Sequence, residues 1–155
     1  MSKAQFYYKN KNAPKPNKPN SIGIAAIIKF NDKVLLEKRV DSDRWSLIGG
    51  GLEVIESLEE GIVREIKEET GLNINDDHLK FWKIYSDPSR IASFPDGNIL
   101  RLITAVYIVK LNKAHKLLCS EESEELRYFN LNELKYLNIA ETHKHIIEDY
   151  INEGN

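Results

Sequence analysis

Between Ser21 and Arg39 the chain runs "SIGIAAIIKF", then Asn31-Asp32, then "KVLLEKR". Two runs rich in β-branched and aliphatic residues around a turn dipeptide predict a β-hairpin. The pattern then changes period. In "SLEEGIVREIKEETG" Ser57 followed by Glu60 forms a capping box and Gly71 supplies a stop, which predicts a helix over about Leu58 to Thr70. Beyond it, "HLKFWKIYS" and "ILRLITAVYIV" read as strands, separated by a loop over 87–98 whose Pro and Gly residues forbid a continuous element. "ELRYFNL" predicts a short strand, and "NELKYL" and "ETHKHIIEDYIN" predict helices. Strands arranged around a central helix give an α/β sandwich with a mixed sheet.

The first twenty residues depart from this pattern. They are rich in Lys and Asn, and Pro14, Pro16 and Pro19 deny backbone donors to a regular ladder. An extended or flexible N-terminal arm over 1–20, followed by one domain over 21–155, is the expected organisation. Trp45 is expected in the strand entering a glycine loop, as a packing residue.

Composition narrows the function. Hydrophobic residues make up 41% and charged ones 30%, ordinary for a soluble globular domain. The net charge of −2 argues against a broad basic surface, and so against nucleic acid as the partner. Cys119 is the one cysteine, so neither an internal disulfide nor a thiolate zinc cage can form within the chain; a buried or idle thiol is expected. No apolar run approaches a membrane span, and the N-terminus lacks a signal peptide's apolar core, so a cytoplasmic location is expected. The arm and exposed strand edges permit a homodimer.

On a wheel of 100° per residue, Leu58, Ile62, Ile66 and Val63 form a core-facing stripe, while Glu65, Glu68 and Glu69 border it at roughly 340, 280 and 20°. Arg64 and Lys67 fall on the far side, where Glu60 can pair with Arg64. Carboxylates crowded at a core edge repel one another unless a cation sits among them. A hard divalent cation such as Mg²⁺ suits oxygen ligands of this kind, with water and phosphate completing its sphere. The glycines Gly49 to Gly51, with Glu56 after them, make a loop–helix unit able to add a backbone carbonyl.

These residues resemble the Nudix hydrolases, the MutT-like nucleotide pyrophosphohydrolases, whose signature is G-x5-E-x7-R-E-U-x-E-E-x-G-U with U aliphatic. Gly50, Glu56, Arg64, Glu65, Ile66, Glu68, Glu69, Gly71 and Leu72 meet every fixed position. The chain departs from common usage at Ile48, where Pro is frequent, and at Ile55, where Gly is. The resemblance implies the Nudix α/β/α sandwich and Mg²⁺-dependent hydrolysis, with Mn²⁺ as a possible substitute, of a phosphoanhydride in a nucleoside diphosphate linked to another moiety. Nucleotides, ADP-ribose-like dinucleotides and nucleotide sugars are the small-molecule substrates it leaves open.

The resemblance also implies roles. Glu65 and Glu69 are the principal metal ligands, Glu68 binds metal or its water, and the Gly50 carbonyl completes the set. Glu56 and Arg64 order the site. The general base is a box glutamate such as Glu68 or a carboxylate from a later loop, where Glu122 leads over Glu121 and Glu125. Arg39, Arg101 and Phe94 are candidates for substrate contact, with Arg39 equally readable as a strand-end charge. Arg90, also in or near the 87–98 loop, is read as a surface residue. His143 and His145, two apart in a helix, point to different faces and cannot share an ion. A non-catalytic nucleotide sensor on the same fold is the alternative function, disfavoured by the intact carboxylate set; an isoprenoid diphosphate isomerase ranks last.

Overall fold

The computed structural model describes residues 3–153. Twelve elements follow one another: β1 (Gln5–Tyr7), β2 (Ser21–Phe30), β3 (Lys33–Arg39), β4 (Trp45–Gly51), α1 (Leu58–Thr70), a 3₁₀ turn (Asp76–His78), β5 (Leu79–Tyr85), β6 (Ile91–Ser93), β7 (Ile99–Lys110), β8 (Ser123–Asn130), α2 (Leu131–Leu134) and α3 (Glu141–Asn152).

The sheet is mixed. Its strands lie in the order β1-β6-β7-β2-β4-β3-β8, with β5 also on β7. Among the described strands β2 and β7 run parallel, paired from Ser21–Leu102 to Lys29–Lys110, and the other strand pairs are antiparallel. β2 is apolar at nearly every position because it is central and covered on both faces. Ile24, Ala26 and Ile28 pack with Ile62 and Ile66 of α1, while Ala25 and Ile27 pack with Ile146, Ile147 and Tyr150 of α3. Two helical layers thus enclose one sheet, the α/β/α sandwich expected.

Three local expectations change. The arm contributes a strand: β1 pairs with β6 through Gln5–Ser93, Phe6–Ala92 and Tyr7–Ile91, ahead of the prolines that suppress ladders. The 87–98 loop is interrupted by β6 and closes as a turn, with Phe94 N–H bonded to Asn98 O and Gly97 N–H to Phe94 O. "NELKYL" makes a single helical turn, Leu131–Leu134. Among the described residues no helix is long and apolar enough to cross a membrane.

Candidate active site

The geometry begins with two glycines at the end of β4. That strand lies so close to β2 that a Cβ on Gly49 would sit 2.0 Å from the Ile24 carbonyl oxygen. A Cβ on Gly50 would lie 2.6 Å from Glu65 Oε1. The absence of side chains lets the acidic face of α1 approach the strand backbone. Gly49 N–H donates to Glu69 Oε1 at 2.8 Å, which ties the last turn of α1 to the loop.

The helix itself forms as expected. Ser57 Oγ accepts from Glu60 N–H at 3.1 Å and Glu60 Oε1 accepts from Ser57 N–H at 2.8 Å. This cap occupies the Glu60 carboxylate, so the expected Glu60–Arg64 pair does not form. Arg64 instead folds back over the loop. It donates to both oxygens of Glu56 at 2.9 and 2.6 Å, to Glu65 at 2.9 Å, to Glu68 at 3.3 Å and to the Gly51 carbonyl at 3.1 Å. The bidentate Arg64 bond holds the Glu56 carboxyl down at about 2, so Glu56 is an anion throughout the ordinary pH range.

Burial sorts the three helix carboxylates. Glu69 is 2% exposed and its pKa is raised, first by burial and then by Glu37 beside it. Glu65 is also raised by burial; Arg64 opposes the shift, and Glu68 and Glu122 add to it. Glu68 remains largely exposed.

Glu37 was not anticipated. It is 1% exposed in β3, accepts from Ser123 Oγ at 2.7 Å and lies 3.5 Å from Arg39 Nη1. Arg39 is accordingly more than a strand-end charge. It binds Asp41 through Nε and Nη2 at 2.9 and 3.1 Å, and its Nη1 also reaches Glu69 at 3.5 Å.

The loop before β8 completes the acidic cluster. Val40 N–H donates to the Glu122 carbonyl, and the Glu122 carboxylate stands 4.0 Å from Arg39. Glu124 and Glu125 are engaged by Lys38 and Arg127. Cys119 in the same segment is exposed, against the expectation of burial as one alternative, and its thiol donates to the Ser123 carbonyl.

A cavity of about 290 Å³ opens beside this cluster. Its walls include Gly49, Gly50, Glu37 and Arg39 at one end and Phe6 and Phe94 at the other. Those two rings meet edge to face at 6.5 Å and 88°. Arg101 is not in its lining; it donates to the Ser86 carbonyl at 2.5 Å.

Arg90 is the largest departure from the sequence reading. It is fully buried, not a surface residue, and donates to Tyr85 O, Leu102 O, Thr104 Oγ1, Thr142 O and His145 Nε2 at 2.7 to 3.1 Å. His145 stacks on Tyr8 at 3.8 Å, so this hub joins the arm, β7 and the start of α3. His143 faces elsewhere, its Nδ1 accepting from Leu47 N–H at 3.0 Å, as residues two apart on a helix should.

The NUDIX domain model matches residues 18–150, the span that carries the glycine loop, the acidic helix and every cavity wall named above except Phe6. The chain belongs to the Nudix family. It is similar to the ADP-ribose pyrophosphatase of Methanocaldococcus jannaschii, 33% identical over 134 residues that cover 84% of this chain and 73% of that one. It is also similar to the nucleoside triphosphatase NudI of Klebsiella pneumoniae, 29% identical over 64% of this chain and 77% of that protein. The NUDIX domain of Shewanella oneidensis NrtR, solved with ADP ribose, shares the fold with a TM-score of 0.70, 19% identity, and coverage of 94% of this chain and 95% of that one.

As a Nudix hydrolase the protein comes from a family that generally requires a divalent metal. The donor set here is all oxygen: Glu65 against Gly50, Glu69 on Gly49 N–H, and the exposed Glu68. Burial first, and neighbouring carboxylates after it, raise the pKa values of Glu65 and Glu69, and a cation bound among these oxygens would favour their ionised form. Among the described residues no three acidic, histidine or cysteine groups form a ready-made metal cage, since Arg64 stands between Glu56, Glu65 and Glu68. The residues fit a hard cation by chemistry, since Glu65, Glu68 and Glu69 offer carboxylate oxygens within one turn of α1.

Proposed function

We propose that this Nudix hydrolase cleaves the phosphoanhydride of a nucleoside diphosphate linked to a second group, with Mg²⁺ as its metal and Mn²⁺ as a substitute. The observation that carries the reading is the continuity of one cavity from the glycine loop and its carboxylates to the aromatic pair Phe6 and Phe94. A diphosphate at the first end leaves its organic part at the second.

Glu65, Glu69, Glu68 and the Gly50 carbonyl would hold the metal. Bound there, Mg²⁺ would neutralise phosphate charge and lower the pKa of a water. The chain's own residues do the rest. Arg64 fixes Glu56 and the loop carbonyl of Gly51, which holds the loop at a set height above α1. Gly49 N–H orients Glu69. Arg39, clasped by Asp41 and Glu37, balances the buried charge of Glu69 and lines the cavity where phosphate would pass. Proton abstraction from water falls to Glu122 or Glu68, both exposed carboxylates at the edge of the cluster.

The relative named ADP-ribose pyrophosphatase makes ADP-ribose the first substrate to try, with nucleoside triphosphates and nucleotide sugars beside it. Purified protein is incubated with each, with Mg²⁺ or with EDTA, and products are separated by anion exchange. Release of a nucleoside monophosphate in Mg²⁺ but not in EDTA supports the reading. Absence of metal-dependent product from every compound would overturn it.

A further inference from the structure

One polar ring in the cavity wall has a role that the carboxylate chemistry leaves unassigned. His143 lies in the first turn of α3 and lines the cavity together with Phe6 and Phe94. Its Nδ1 accepts the Leu47 N–H at 3.0 Å, and a neutral imidazole that accepts at Nδ1 carries its proton on Nε2. Burial pushes the His143 pKa down to about 3, so the ring is uncharged at neutral pH. Its position is fixed from both sides. Leu47 belongs to β4, and the preceding Thr142 carbonyl is held at 2.7 Å by Arg90.

We propose that the Nε2–H of His143 donates a hydrogen bond to an acceptor on the substrate's base, making His143 a specificity-determining residue of the cavity. The inference rests on the reading that the cavity receives the organic part of the substrate. Phe6 and Phe94 supply apolar surface to a planar ring, which aromatic contacts tolerate for any base. A fixed donor is more selective: a base that presents a ring nitrogen or carbonyl oxygen to it gains a bond, and one that presents a donor or a C–H leaves the histidine N–H unpaired. The selected class is therefore a heteroaromatic base with an acceptor on its inserted edge, in preference to a bare sugar phosphate.

The test is calorimetric binding of AMP, GMP, CMP, UMP and ribose 5-phosphate to wild type, His143→Asn, His143→Gln and Phe94→Ala. Asparagine keeps an acceptor for Leu47 N–H and loses the distal donor, whereas glutamine restores a donor at the Nε2 position. In wild type at least one mononucleotide binds about tenfold or more tighter than ribose 5-phosphate, a gap of one good hydrogen bond or more. His143→Asn removes about that factor for the preferred mononucleotide and leaves ribose 5-phosphate binding unchanged; His143→Gln recovers part of the loss. A deaza analogue of the preferred base, lacking the acceptor, binds wild type and His143→Asn alike. If Phe94→Ala weakens binding while His143→Asn does not, the cavity reading stands and the role of His143 falls. If neither substitution weakens any mononucleotide, the cavity reading falls with it.

Discussion

Replacing Arg90 with methionine tests whether the buried hub holds the cavity together. The guanidinium makes five hydrogen bonds, three of them to the main-chain carbonyls of Tyr85, Leu102 and Thr142. Methionine has similar length and no donor, so those acceptors lose their partner inside a closed core. At about 1 kcal/mol per orphaned acceptor, the lower end of the usual range, the loss is about 3 kcal/mol. Removing a buried cation offsets part of the remaining loss, because burial already pushes the Arg90 pKa down to about 10. For a chain of this length about 3 kcal/mol lowers Tm by about 6–12 °C, measurable by calorimetry. Because Arg90 links Thr104 of β7 to Thr142 of α3, both in the cavity wall, KM should rise as well. Arg90→Lys keeps the charge with fewer donors and should fall between. A methionine variant melting within about 2 °C of wild type would refute the assignment of Arg90 as a structural hub.

Gly50→Ala places a methyl group 2.6 Å from Glu65 Oε1; the carboxylate end can swing aside, so turnover should fall about tenfold or more while stability changes by about 1 kcal/mol or less, and unaltered turnover would count against that contact. His143, neutral when folded, carries a pH signature. The unfolded chain takes its proton as pH falls through 6.5 and the folded chain not until about 3, so stability present above pH 6.5 drains on acidification, by up to about 2 kcal/mol at pH 5. His143→Asn should therefore show a shallower loss between pH 7 and 5 in urea titrations, and equal slopes would contradict the buried neutral ring. Comparison of kcat for Glu122→Gln and Glu68→Gln identifies the base: the one that takes the proton loses about 100-fold or more, and near wild-type turnover removes that residue from the step.

Much of this was legible because it is written in short-range pattern. Ser57 and Glu60 announce the start of α1, and the turn at Asn31-Asp32, both with positive φ, joins β2 to β3 as expected. The helix wheel places Glu69 beside the apolar stripe, and it is buried there. The signature residues could be recognised because loop and helix are contiguous in sequence.

The missed features depend on long-range contacts. Glu37 sits in a strand read from its β-rich pattern alone, and its burial follows from Ser123 of β8 and from Arg39 and Glu69 closing around it. Nothing local to "KVLLEKR" reveals those neighbours. Arg90 has no periodic context, and its acceptors come from β5, β7 and α3. Phe6 becomes a cavity wall only once β1 pairs with β6. The departures at Ile48 and Ile55 also resolve in three dimensions. Ile48 is buried in the α1-facing core at a ladder position opposite Ala26, and Ile55 is almost wholly exposed at the loop's tip. Neither breaks the Gly49–Glu69 bond that fixes the loop.

The central claim is that Glu65 and Glu69, presented to Gly50 and Gly49, create a divalent-metal site on which phosphoanhydride hydrolysis depends. Mg²⁺ and Mn²⁺ binding and hydrolysis of ADP-ribose, nucleoside triphosphates and nucleotide sugars are measured on wild type and on Glu65→Gln and Glu69→Gln. The account predicts metal binding and a nucleoside monophosphate product in wild type, loss of both in EDTA, and at least about 100-fold lower turnover in each variant with weakened metal binding. Undiminished hydrolysis in EDTA, or full activity and metal affinity in either variant, would contradict it.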